Sequence, residues 1–193
     1  MPFLEKNAVT LLMEHFSLSR NEARTKYRET TGLPFVQQME IIFPNHGSNN
    51  VVVKKFEDMK LELIYEQRPF NDALDVLLRL KEKNYLLGIS SGTIESIITT
   101  YLKKIQFDIV NDIMGFRPGF EKGKDHFDHV KKKYGLKSSQ ILFIGDSLHD
   151  AKRAKDNQIP FIGRIGMFSQ VDFEKIIPNC TVIQELTEIL YQI

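Results

Sequence analysis

The sequence has 193 residues, of which 42% are hydrophobic and 26% are charged, close to the composition of an average soluble globular protein. The 26 basic and 25 acidic side chains nearly cancel, so the formal net charge of +1 gives no sign of a nucleic acid or an acidic membrane as partner. The single cysteine, Cys180, excludes an internal disulfide and fits a cytoplasmic location. No apolar run is long enough to span a bilayer, and no signal peptide is visible at the N-terminus.

Residues 1–67 are predicted to form a small all-helical unit. Apolar residues near the N-terminus recur at spacings of three and four, as on one face of a helix: Leu4, Ala8, Leu11, Leu12 and Phe16. Ser19 and Glu22 have the spacing of a capping box, which predicts the start of a second helix. Two further helices are predicted over residues 35–42 and 51–67.

Beyond this unit, residues 68–193 alternate between amphipathic helices and short apolar strands. The predicted helices cover residues 71–84, 94–104, 125–134, 149–156, 170–177 and 185–193. The predicted strands cover residues 85–89, 107–110, 141–144, 160–163 and 181–183. Such alternation indicates βαβ units, so we expect an α/β fold with a doubly wound, mostly parallel, Rossmann-like sheet covered on both faces.

The clearest candidate site follows the strand at residues 141–144. Gly145 permits a tight turn, Asp146 comes at the carboxyl end of the strand, and Asp150 follows one helical turn later. Ligands of open α/β sheets bind beyond the carboxyl ends of the strands. Two neighbouring carboxylates repel each other unless a cation neutralises them, and their oxygen atoms suit Mg²⁺. The alternative is that Asp146 or Ser147 only caps the next helix and Asp150 lies near its positive end.

Two weaker candidates follow other strands. Ser90, Ser91 and Gly92 come after the strand at residues 85–89, where hydroxyl groups and helix N–H groups would form a phosphate cradle. The same residues also suit an ordinary turn at the start of a helix. Lys122 lies in a glycine-flanked loop, where it would neutralise a phosphate or steady a carboxylate, although most loop lysines are simply solvated.

The order of these features resembles motifs two, three and four of the haloacid dehalogenase-like hydrolase superfamily. Ser90 matches the hydroxyl of the second motif. Lys122 matches the lysine of the third, with Lys124 as a rival at a less usual spacing. Asp146 and Asp150 match the Gly-Asp-x-x-x-Asp pattern of the fourth.

The resemblance covers nearly the whole chain and implies a reaction. Residues 1–67 would be the helical cap of the superfamily, and residues 68–193 would be its α/β core. The implied activity is Mg²⁺-dependent hydrolysis of a phosphate monoester, with a small phosphorylated metabolite as substrate. An aspartate nucleophile attacks the phosphate, forming an aspartyl-phosphate, and a second aspartate acts as acid and base.

The resemblance also implies a role for each matched residue. Lys122 and Asp146 would be catalytic, Lys122 by offsetting the charge that gathers on the phosphoryl group. Asp146 would be a direct or water-mediated Mg²⁺ ligand, and Asp150 an outer ligand or a residue that orients a ligand. Ser90 and the backbone of the two residues that follow it would hold the phosphoryl group.

The first motif of the superfamily, Asp-x-Asp-x-Thr/Val after a strand, has no match in the sequence. The chain therefore looks as if it starts at an internal methionine and lacks its first strand, the nucleophile and the acid/base. The strand order of the superfamily, 3-2-1-4-5, would put the absent strand between the strands at 85–89 and 141–144, which both read as fully buried. We expect the 193 residues to be inactive as a phosphatase, and to fold poorly unless those strands close on each other or another segment fills the gap.

Other functions remain open at this point. A phosphomutase of the same superfamily is the nearest variant, and a non-catalytic phosphate-binding protein is the alternative from a different class. A receiver-like signalling domain is disfavoured, because its acidic pair would follow its first strand and it would lack a helical cap. The histidines do not form a ligand set with Cys180, which disfavours a zinc site.

Overall fold

The computed structural model describes residues 2–193, and the chain divides into two compact units. The first unit ends at Gln67, and the second spans Arg68–Ile193. Met1, where we expect a truncated start, lies outside the described residues. None of the helices in residues 2–193 combines the length and the apolar character needed to cross a membrane.

The first unit is helical, as predicted. Its helices are α1 (Pro2–Phe16), α2 (Arg20–Thr30), α3 (Phe35–Ile42) and α4 (Asn49–Ile64). The predicted capping box at the start of α2 is confirmed, because the Ser19 hydroxyl accepts from the Glu22 N–H and the Glu22 carboxylate accepts from the Ser19 N–H. Leu12, Met39 and Val52 are fully buried in this unit, so packing of apolar helix faces stabilises it.

The second unit has the predicted α/β architecture, and each pair of neighbouring strands in it is parallel. Its strands are β1 (Gly88–Ile94), β2 (Asp112–Phe116), β3 (Phe143–Gly145), β4 (Phe161–Arg164) and β5 (Thr181–Ile183). Its α-helices are α5 (Ala73–Glu82), α6 (Glu95–Lys104), α7 (Lys124–Tyr134), α8 (Leu148–Asp156) and α9 (Gln170–Glu174). The strand at residues 181–183 matches its predicted bounds, and the predicted C-terminal α-helix is instead a 3₁₀ helix, Leu186–Tyr191.

The strand predicted at residues 85–89 begins three residues later than the apolar run does. Asn84 has a left-handed backbone with φ of 64°, and the Tyr85 N–H donates to the Leu80 carbonyl oxygen, so this stretch closes α5 rather than starting a strand. The side chain of Leu86 is 51% exposed, so the prediction of a fully buried run is wrong. Pairing with β2 starts at Gly88.

The strand predicted at residues 107–110 is also displaced. The Phe107 N–H donates to the Leu102 carbonyl oxygen at the end of α6, and the residues up to Asn111 are irregular. Asn111 then makes two hydrogen bonds with the backbone of Leu87. Its N–H donates to the Leu87 carbonyl oxygen at 2.7 Å, and its side-chain oxygen accepts from the Leu87 N–H at 2.9 Å. The strand β2 therefore starts after this anchor, at Asp112.

The parallel strands form two separate sheets rather than one. One sheet has the order β1-β2 and the other the order β3-β4-β5. The break between β1 and β3 falls where the resemblance put the absent strand. In residues 2–193, neither strand pairs with the other, and no other segment forms a ladder with either free edge.

Alternation along the strands tells which backbone groups face the break. In a parallel ladder the N–H and C=O of one residue point to one side, and those of the next residue point to the other. In β1, Leu87 directs its backbone groups towards β2, so Gly88 and Ser90 direct theirs towards the break. In β3, Phe143 bonds towards β4, so Ile144 faces the break.

Contacts on both faces of the sheets connect them across the break. The first is made by α7, because Phe127 packs edge-on against Phe143 of β3 and its neighbour His126 bonds to Ser90 of β1. The second is made by Leu186, which packs against the apolar cluster beside β1 and against the cluster of the other sheet. The two sheets are therefore held side by side although their strands do not pair.

Hydrogen exchange measures whether these edges are open. We expect the amides of Gly88, Ser90 and Ile144 to exchange faster than those of Ile89 and Gly145, which face a neighbouring strand. Amide exchange followed by NMR on the intact chain gives this contrast residue by residue. Equal protection of both sets would mean that β1 and β3 are paired in solution, contrary to the structure.

Candidate phosphate and metal site

The turn after β3 presents Asp146 to solvent. The next residue, Ser147, is the N-cap of α8, and its hydroxyl accepts from the Asp150 N–H at 3.1 Å. Because Ser147 supplies the cap, the carboxylate of Asp146 is not used for it and remains exposed at the carboxyl end of the strand. The capping alternative therefore applies to Ser147, and Asp146 keeps its oxygen atoms available for a ligand.

The carboxylate of Asp150 lies against the backbone of Gly145. A Cβ atom at position 145 would lie 2.7 Å from Cβ and 2.9 Å from Oδ2 of Asp150, closer than real contacts allow. Glycine is therefore required for this approach, besides the tight turn that the sequence suggested. The side chain of Asp150 is 2% exposed, so its charge must be compensated by the protein.

Two cations compensate the buried carboxylate of Asp150. The Lys122 ammonium lies 2.8 Å from its Oδ1, and the Arg153 guanidinium lies 3.3 Å from the same oxygen. Both basic side chains are themselves largely buried, and the Lys122 ammonium also lies 5.6 Å from the centre of the Phe143 ring. Lys122, Asp150 and Arg153 thus form an ionic cluster that is largely shielded from solvent. It attaches the loop before α7 to the start of α8.

Gly123 allows this loop to pass close to α8. Its φ of 114° is in the region that side chains disfavour, and a Cβ atom there would lie 2.9 Å from Cδ of Arg153. Any other residue at this position would strain the backbone and displace the arginine. Gly123 therefore lets Lys122 and Arg153 reach the same carboxylate.

The two candidate lysines occupy different environments. Lys122 pairs with the buried Asp150, whereas Lys124 pairs with Asp128 on the exposed side of α7, where its own side chain is 74% exposed. The ionic cluster thus contains Lys122 and not its rival.

The segment Ser90–Thr93 differs from the predicted helix-start turn. It belongs to β1, which continues with a bulge to Ile94, and α6 begins only at Glu95. The Ser91 hydroxyl accepts from the Thr93 N–H at 3.1 Å. Ser91 and Gly92 therefore lie in the bulge between the paired residues Ser90 and Ile94, and two further residues separate them from the start of α6.

His126 is a site residue that sequence reasoning missed. Its ring is fully buried, and its Nδ1 lies 2.8 Å from Oγ of Ser90. Burial lowers the pKa of His126 to about 4, and the nearby Lys122 charge acts in the same direction, against the opposing effect of the Gly115 backbone. The histidine is therefore neutral near pH 7. A single sequence offers no signal for this contact, since 36 residues separate the partners.

Arg153 is a second residue of the site that sequence reasoning missed, although the sequence contains a signal for its contact with Asp150. It follows Asp150 by three residues on α8, which is a spacing that brings opposite charges together on a helix.

Within residues 2–193, no three histidine, cysteine, aspartate or glutamate side chains lie close enough together to hold a metal ion. Asp146 is an exposed carboxylate that directly follows Gly145, the residue on which Asp150 packs.

This fold and this motif order define a class of protein. The model of the haloacid dehalogenase-like hydrolase family matches residues 5–164, and the chain belongs to that family. The family expectation drawn from the sequence is thereby confirmed.

Individual relatives agree with the family. The chain is similar to enolase-phosphatase E1 of Aquifex aeolicus (strain VF5), with 29% identity over 113 residues that cover 55% of this chain and 51% of the relative. The match thus spans about half the length of this curated relative.

Solved structures share the fold over almost the entire chain. A haloacid dehalogenase-like family protein of Streptococcus pneumoniae superposes with a TM-score of 0.78 at 20% identity, covering 99% of this chain and 90% of the other. A structure described as a predicted phosphatase of Clostridium acetobutylicum gives 0.74 at 16% identity, with coverage of 98% and 91%. At these identities the likeness is one of fold.

The ionic cluster makes a prediction about stability. Asp150→Asn keeps the shape of the side chain but leaves the charges of Lys122 and Arg153 without their buried partner, so we expect a loss of about 3 kcal/mol in the free energy of unfolding. The matched control on the same helix is Asp156→Asn, which removes the exposed pair with Lys152 and should cost less than about 1 kcal/mol. Urea unfolding at pH 7 compares the two variants. Equal losses of unfolding free energy would contradict the buried pairing of Asp150 with Lys122 and Arg153.

Proposed function

We propose that this chain provides the phosphate-binding, lysine and metal-binding part of a Mg²⁺-dependent phosphatase that acts on a small phosphorylated metabolite in the cytoplasm. The observation that carries the proposal is the Lys122–Asp150 pair, which lies beside the exposed carboxylate of Asp146 at the carboxyl end of β3. Ligands of open α/β sheets bind at this edge. Family membership and the phosphatases among the relatives support the same class of reaction.

The position of each residue in the family motifs supports a role for it. The hydroxyl of Ser90, with the backbone of Ser91 and Gly92, would hold the phosphoryl oxygens. Lys122 would offset their negative charge, and Asp150 would keep the lysine in place through the 2.8 Å contact. Phosphoryl transfer depends mainly on positioning and charge stabilisation, which is the chemistry that such groups supply.

The donor set fits one part of a Mg²⁺ site. Asp146 is exposed and would serve as one carboxylate ligand, and Mg²⁺ commonly keeps several waters beside one or two protein carboxylates. Asp150 is already engaged by two cations, so an orienting role suits it better than direct ligation. When bound, the ion would offset negative charge on the phosphoryl oxygens.

The 193 residues contain no Asp-x-Asp segment, so they offer no counterpart of the family nucleophile. We therefore propose that the nucleophile belongs to a strand outside these residues that would pair with the free edges of β1 and β3. Without it, the chain would bind phosphate but not hydrolyse esters. The missing Asp-x-Asp also favours a second candidate function, a non-catalytic phosphate-binding protein.

A designed extension tests the proposal. We expect no turnover of p-nitrophenyl phosphate by the 193-residue chain. Adding an N-terminal strand of about five apolar residues followed by Asp-x-Asp-x-Thr should give Mg²⁺-dependent phosphate release, because it restores a nucleophile next to Asp146.

The matched control is the same extension with its first aspartate changed to asparagine, which keeps the strand and removes the nucleophile. Phosphate release and thermal melts are compared for the three forms. Robust turnover by the 193-residue chain, freed of contaminating phosphatase, would contradict the proposal. A folded extended form without activity would favour the non-catalytic function.

A further inference from the structure

The contact between Ser90 and His126 joins two parts of the candidate site. Ser90 belongs to β1, and His126 lies in the first turn of α7, three residues after the N-cap Gly123. Their side chains meet at 2.8 Å between Oγ and Nδ1. The histidine is fully buried, whereas Ser90 is partly exposed and keeps access to solvent. A buried histidine ring thus holds a serine hydroxyl group that a ligand in solvent can still reach.

The imidazole ring is fixed by its neighbours as well. The Phe120 ring packs against it with 4.6 Å between ring centres, and the Arg117 guanidinium covers Phe120 at 3.9 Å. Arg117 is in turn held by Glu95 at 2.6 Å, at the start of α6. The ring of His126 therefore has a packed aromatic neighbour in addition to its bond to Ser90.

A serine bonded to a histidine invites comparison with a nucleophile and its general base, but this pair does not suit that role. Burial lowers the pKa of His126 to about 4, which makes the ring a weak base. The ring is also hydrogen-bonded to the backbone of Gly115, whereas the base of a catalytic triad is oriented by a buried carboxylate. The ring can hold a hydroxyl group in place without taking up its proton.

We propose that His126 is a positioning residue, which fixes the Ser90 hydroxyl relative to Lys122 for phosphate binding. The inference rests on the proposed function, because it takes Ser90 and Lys122 as phosphate-binding residues. Lys122 immediately precedes the N-cap of α7, and His126 lies in the first turn of that helix. A bond from Ser90 to this turn therefore helps to set the position of β1 relative to the lysine, which Asp150 holds at 2.8 Å.

The charged groups around His126 do not replace this role. Lys122, Asp125 and Arg117 are the charges that act on the ring, and the two cations disfavour its protonated form. The ring therefore stays neutral at the pH where phosphate would bind, and its effect is carried by the hydrogen bond to Ser90 rather than by charge.

A double-mutant cycle on phosphate binding tests the proposal. Inorganic phosphate is titrated into the intact chain by calorimetry at pH 7, for the wild type, Ser90→Ala, His126→Phe and the double variant. We expect each single change to weaken binding about tenfold. The double variant should bind no more weakly than either single variant, because both changes remove the same bond.

A matched pair of variants separates the hydrogen bond from simple packing. The side-chain amide of His126→Asn reaches the place of Nδ1, whereas the longer side chain of His126→Gln extends to the place of Nε2. We expect the asparagine variant to recover most of the lost affinity and the glutamine variant to recover little. This pair also serves if the phenylalanine variant does not fold.

The possible outcomes separate the positioning role of His126 from the proposed function. Independent effects that multiply in the double variant, wild-type affinity in His126→Phe, or equal affinity of the asparagine and glutamine variants would overturn the positioning role and leave the proposed function intact. Failure of the wild type to bind phosphate would overturn the proposed function itself, and the positioning role with it. Non-additive losses with rescue by asparagine would establish the role.

Discussion

The buried carboxylate of Asp150 connects segments of the second unit that are far apart in the sequence. It packs on Gly145 at the end of β3, bonds to Lys122 in the loop before α7, and bonds to Arg153 one turn along α8. A buried carboxylate is costly unless it is paired, so both cations must be close to it. That requirement in turn demands glycine at position 123, where the loop passes the arginine. The charge balance of the site thus determines the course of the chain around it.

The second constraint is the break in the sheet. The strands β1 and β3 each have one paired edge and one edge that pairs with no strand in residues 2–193, and α7 and Leu186 bridge the space between the two sheets. Open edges of this kind are normally protected in proteins, because they pair readily with other strands. Function and folding are therefore connected: a strand that filled this break would both complete the sheet and end beside Ser90 and Asp146.

The helical first unit and the α/β second unit could be predicted from the sequence. Helix periodicity, the capping box at Ser19 and the strand at residues 181–183 depend on local patterns, which a sequence displays directly. The displaced bounds of β1 and β2 could not be predicted, because the anchor made by Asn111 on Leu87 is a tertiary contact. His126 was missed for the same reason.

The exposure of Asp146 has a local cause that the sequence left open. Either Asp146 or Ser147 could cap α8, and the hydrogen bond from the Asp150 N–H to the Ser147 hydroxyl decides between them. The pairing of Lys122 rather than Lys124 with Asp150 was open for a similar reason, because both lysines flank the same glycine and only the fold turns one of them inwards.

We propose that one site in this chain holds phosphate and Mg²⁺ together. This proposal is tested most directly by titrating inorganic phosphate with and without Mg²⁺, in the wild type and in Asp146→Asn. Binding of the two ligands at one site must be reciprocally coupled, so Mg²⁺ should strengthen phosphate binding about tenfold in the wild type. The asparagine variant should bind phosphate with little response to Mg²⁺. Phosphate binding that does not change with Mg²⁺ in the wild type, or an equal Mg²⁺ response in both proteins, would contradict a shared site that contains Asp146.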